Sequence, residues 1–199
     1  MKNSITTSLI LSLISLTFLN SCKKSDDASH PHDHASQEQI TTLILRGVNK
    51  ANPTNSKYVV FAKWEDLDGE GGNAPLIDSL ILDTGISYSM DILLLDKTKT
   101  PYDTVSNEII ERGDIHQFFY TPSPTLLDKL IIERLDKDNK NPALPIGIQT
   151  QWNVLAKPSY TLPVSGTVNI VLSHYHSTPK TAIRSPESDI DISFPVKLK

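Results

Sequence analysis

The chain has 199 residues, with 19 basic and 23 acidic side chains, a formal net charge of −4 and a single cysteine. That balance gives no electrostatic reason to expect nucleic acid or an anionic lipid surface as a partner, and one cysteine excludes a disulfide framework within the chain. About 160 residues follow the polar N-terminal stretch, enough for one domain with its own hydrophobic core.

Taken in order, Met1-Lys2-Asn3 supplies a small positive head, and residues 5–19 are rich in Leu and Ile. This apolar run is shorter than the roughly 20 residues a spanning helix needs, so residues 1–21 read as a secretory signal peptide. It closes on Leu19-Asn20-Ser21-Cys22, similar to the lipobox at which bacterial lipoproteins are cleaved and acylated. Exported proteins seldom keep a lone free thiol, and a thioether-linked lipid on Cys22 accounts for it. Each buried methylene adds about 0.8 kcal/mol of membrane attachment, so several acyl chains hold firmly where one does not. The plain alternative is an ordinary signal peptide followed by a chance cysteine.

Residues 22–38 form a tether of Lys, Asp, Ser, His, Gln and Ala without apolar periodicity, a composition expected to be disordered. Within it lies His30-Pro31-His32-Asp33-His34. Alternating imidazoles beside a carboxylate can chelate Zn²⁺, Cu²⁺ or Ni²⁺; the competing reading is a soluble spacer with incidental histidines.

From residue 39 to 199 the pattern is that of strands, with two-residue alternation and β-branched content. The segments are residues 40–46, 58–65, 77–82, 86–95, 115–120, 130–136, 147–155, 167–176 and 189–198. Pro195 cannot donate to a ladder, so the last strand is expected at an edge or with a bulge. One short helix is expected around Glu108–Arg112, capped by Asp103 or Thr104, turning Ile109 and Ile110 to the sheet and stopping at a left-handed Gly113. The expected fold is all-β: a two-layer antiparallel sandwich of immunoglobulin-like type with one short helix. Residues 177–188, interrupted by Pro179 and Pro186, are expected to be a mobile loop.

Two stretches in the domain suggest chemistry. Asp66-Leu67-Asp68-Gly69-Glu70-Gly71 places carboxylates and a glycine as in the first half of a Ca²⁺ loop. The bidentate acid of the second half is missing, since Ile77 stands there, and an Asp/Gly-rich hairpin turn explains the same residues. His174-Tyr175-His176 puts two imidazoles on one face of a strand. With His116 on another strand, and Glu108, Glu111 or Asp114 near it, a mixed His/carboxylate metal site can form if the fold brings them together; otherwise these histidines are hydrogen-bonded strand ends. No G-x-S-x-G, H-E-x-x-H, C-x-x-C or phosphate-binding glycine loop occurs, so no enzyme is expected.

Three segments in sequence, Trp64-Glu65-Asp66-Leu67-Asp68-Gly69-Glu70-Gly71-Gly72, then 107–120 with His116-Gln117-Phe118-Phe119, then 166–174 ending in His174, resemble a family. It is one of small Bacteroidota outer-membrane lipoproteins, often labelled "type 1 periplasmic binding fold superfamily". The likeness covers residues 40–199. Asp26-Asp27 is similar to the acidic signal that sends such lipoproteins to the cell surface. The resemblance implies a lipid-anchored accessory protein of the outer membrane, on its periplasmic face or at the cell surface, serving an uptake receptor. It carries over Asp66, Asp68, His116 and His174 as the polar site; Glu70 and His176 have no counterpart in the pattern. The expectation is therefore a non-enzymatic binding lipoprotein, taking Zn²⁺ or Cu²⁺ at its histidines or Ca²⁺ at the Asp66 loop. The alternative is a structural lipoprotein that partners an outer-membrane receptor without a small ligand.

Overall fold

A computed structural model describes residues 38–55, 59–69, 71–156, 161–176 and 178–199, all within the compact unit Ala35–Lys199. The signal peptide, Cys22 and the His30, His32 and His34 tract lie outside the described residues.

Ten strands and one helix follow in chain order: β1 (Thr42–Asn49), β2 (Val59–Glu65), β3 (Leu76–Ile77), β4 (Leu80–Leu82), β5 (Ser87–Leu95), α1 (Val105–Glu111), β6 (His116–Pro122), β7 (Leu130–Arg134), β8 (Gln149–Val154), β9 (Val164–His174) and β10 (Ser188–Leu198). They form two sheets, one of six strands ordered β3-β2-β1-β5-β8-β7 and one of four ordered β4-β10-β9-β6. The protein is an all-β sandwich. Alternation along the strands supplies the core between the layers: Tyr88, Met90, Ile92 and Leu94 of β5 and Trp152 of β8 share one buried cluster with Phe118 of β6, Ile170 of β9 and Phe194 of β10. Residues that alternate with apolar partners bury one face and leave the other to water.

Several local expectations are corrected. The single strand expected over 77–82 is two. Leu76–Ile77 pairs with β2 in the larger sheet, whereas Leu80–Leu82 joins β10 in the smaller one, and in parallel. The chain thus changes layer at Asp78-Ser79, as strands do at sandwich corners. In the helix, Ile109 is buried but Ile110 points outward, because two adjacent residues cannot share a narrow helical stripe. Thr104 occupies the N-cap without a side-chain cap bond. Gly113 is not among the left-handed glycines; a Cβ there would lie 2.6 Å from Ile146 Cδ1, so close packing is what it provides. In the loop after β9, Lys180 Nζ donates to Gly113 O and Asp138 Oδ2, and Tyr175 Oη donates to Ile183 O at 2.6 Å.

Pro195 sits as expected. Strand β4 flanks β10 only at residues 196–198, so β10 is an edge at the proline. A bulge also interrupts β10, between Ser188 and Ile190.

Candidate metal centre

That bulge builds the site. Strands β6 and β9 run antiparallel with His116 directly opposite His174, a cross-strand pair whose side chains must meet on one face. Their ring centroids are 4.5 Å apart. On the other side of β9, Ser188 pairs with Ser173 and Ile190 with Leu172, so Asp189 is the extra residue of β10. A bulge re-aims a side chain that regular alternation would send elsewhere. The Asp189 carboxylate is accordingly fully buried and faces both histidines.

Each ring has a defined role. His116 Nδ1 lies 3.1 Å from the carbonyl of Arg112, where the turn after α1 delivers it. A carbonyl only accepts, so Nδ1 carries the proton and Nε2 the lone pair. Burial, followed by the neighbouring His174, pushes the His116 pKa down to about 3, which keeps the ring neutral. Its Nε2 has no hydrogen-bond partner within the protein, and neither has Oδ2 of Asp189. The two stand 3.6 Å apart. The other carboxylate oxygen, Oδ1, lies 3.1 Å from His174 Nδ1. Burial outweighs the help of His174 and raises the Asp189 pKa.

Two further residues frame the cluster. His176, exposed just past the end of β9, places Nδ1 3.4 Å from His174 Nε2. Glu38 approaches His116 Nε2 to 3.9 Å while pairing with Arg112 at 2.8 Å. Its pKa is raised, first by burial and then by the adjacent Glu108.

Among the described residues, His116, His174 and Asp189 are the group of three ligating side chains with donor atoms within 4.8 Å of one another. The histidines were legible in the sequence; the carboxylate was not. Glu108 turns to Glu38, Glu111 is exposed and Asp114 pairs with Lys140 at 3.0 Å. Asp189 alternates in sequence with apolar Ile190 and Ile192, like Asp191, and only the bulge separates their fates. Asp191 stays outside with Arg184 at 2.7 Å.

Asp66 and Asp68 stand apart from this cluster, in the turn after β2. Asp66 Oδ1 accepts from the Gly69 N–H, and Asp68 Oδ2 accepts from both the N–H and the side-chain amide of Asn73. Gly69 and Gly71 adopt positive φ, the conformation glycine allows at no steric cost. The bonded carboxylates shape a hairpin turn.

No known protein family, curated protein or solved structure matches this chain.

Proposed function

We propose that the protein is a non-catalytic binding module of the cell envelope that holds a divalent transition metal at His116, His174 and Asp189. One observation carries this reading: a buried imidazole lone pair and a buried carboxylate oxygen face each other at 3.6 Å, and neither atom has a hydrogen-bond partner. With Asp189 ionised such an arrangement is repulsive and costs about 1–3 kcal/mol per unsatisfied group. A cation removes the conflict. Bond lengths of about 2.1 Å to zinc put tetrahedral donors about 3.4 Å apart, close to the gap observed. Two imidazoles with one carboxylate suit Zn²⁺ or Cu²⁺, whereas Ca²⁺ takes oxygen ligands. The Arg112 carbonyl fixes the His116 tautomer as outer partners of metal-bound histidines do.

The setting of this module rests on the sequence: a lipid on Cys22 and an outer-membrane uptake receptor as the partner. No helix among the described residues is long and apolar enough to cross a membrane.

Calorimetric titration of the mature chain with Zn²⁺ tests the proposal. One saturating event per chain is expected, weakened by Asp189→Asn by more than the ~10–100-fold that loss of an outer partner costs, and retained when His30, His32 and His34 are all changed to Ala. Zn²⁺ binding that Asp189→Asn leaves intact would overturn it. Recovery of a receptor by the Asp189→Asn protein as readily as by the wild type would favour the structural alternative.

A further inference from the structure

We propose that His176 is the gateway ligand of this metal centre, forming with His174 Nε2 an outer station through which the ion reaches the buried His116–Asp189 gap. The inference rests on the metal-binding reading above and adds a route and an order of events.

Both nitrogens of His174 are engaged, on opposite edges of one ring. Nδ1 faces the Asp189 carboxylate at 3.1 Å, and Nε2 faces His176 Nδ1 at 3.4 Å. The second gap is long for an N–H···N bond, whose heavy atoms favour about 2.7–3.2 Å. It matches the roughly 3.4 Å edge of a tetrahedral site with zinc–nitrogen bonds of about 2.1 Å. The rings meet edge to face, with centroids 4.9 Å apart and planes at 85°.

Exposure separates the two stations. His116 and His174 are buried, whereas His176 is open to solvent. Its position is nonetheless fixed by the residue before it. Tyr175 is buried, its N–H donates to Ile115 O at 2.9 Å, and its hydroxyl donates to Ile183 O. An exposed imidazole on an anchored backbone lies one ring-width from a buried, incompletely satisfied donor set. An ion captured there sheds part of its water before it meets the carboxylate.

Stopped-flow mixing of the mature chain with Co²⁺, followed by visible absorption, tests this. His176→Ala lies at the surface and leaves the inner donors in place. It should reach the wild-type final spectrum and affinity but load about tenfold more slowly, and, since an unchanged Kd fixes the ratio of the two rates, release its ion to a chelator more slowly by the same factor. The tether histidines are identical in both proteins, so they cancel in the comparison. Equal loading and release rates would overturn the gateway role. An altered spectrum with reduced affinity would also overturn it, making His176 an inner ligand. If wild-type protein shows no Co²⁺ spectrum that Asp189→Asn abolishes, the metal centre itself fails and the gateway with it.

Discussion

Asp138 and Asp189 are both buried carboxylates packed near a basic partner, and they differ in how completely they are satisfied. Asp138 accepts from the N–H groups of Lys140 and Leu144, both at 3.1 Å, and from Lys180 Nζ at 2.9 Å. Lys180 spends its remaining donors on the carbonyls of Gly113 and Leu144. Burial works to raise the Asp138 pKa, but Lys180 and the two N–H groups prevail and lower it. At Asp189 burial prevails and raises it, and one oxygen has no partner. A closed network belongs to the scaffold. An open one, at the more deeply buried carboxylate, leaves an acceptor that the protein's own hydrogen bonds do not use.

The largest effect separating the two regions is on stability. Lys180→Ala leaves Asp138 only its two N–H donors and should cost about 3 kcal/mol in denaturant unfolding, the low end for breaking a buried pair, with Zn²⁺ binding intact in the folded fraction. A smaller loss would mean that Asp138 is not the scaffold element drawn here.

Acid comes next, measured in the presence of a chelator. As pH falls below 6.5 the unfolded chain protonates His116, while the folded chain resists until about pH 3. Stability therefore declines through that window, by up to about 1.4 kcal/mol per pH unit. Asp189 works the other way, because its raised pKa lets the folded chain take up a proton first. His116→Gln should remove the slope between about pH 6.5 and 5, above the range where depressed carboxylates such as Glu65 and Asp138 add their own loss; an unchanged slope there would locate the titrating group elsewhere.

Zn²⁺ should stabilise the wild type by about 2.7 kcal/mol at a free concentration 100 times Kd, visible as a shift in Tm. The same addition should leave Asp189→Asn unmoved. Without metal the contrast reverses: the Asn amide can donate to His116 Nε2, so Asp189→Asn should gain about 1 kcal/mol. A metal-free loss instead would make Asp189 a structural residue like Asp138.

The smallest effect concerns the turn after β2. Asp68→Ala should leave Zn²⁺ binding unchanged and speed hydrogen exchange at the Asn73 amide, which loses its acceptor. Loss of Ca²⁺ binding in this variant would instead give the turn a ligand of its own.

Alternation and composition determined much in advance. The two-residue period of β5 and β10 follows from local backbone geometry, which places successive side chains on opposite faces, and so the sandwich was legible. So was the neighbourhood of His174 and His176. Tertiary pairing decided the rest. Whether His116 lies opposite His174 depends on the register of strands some 60 residues apart in sequence, and no local pattern encodes it. Asp189 and Asp191 look alike in the chain, yet one extra residue in the β9–β10 ladder buries the first and leaves the second in water. A side chain's face is a property of its strand, but a bulge is a property of two strands together, and the cluster of His116, His174 and Asp189 is built on the bulge.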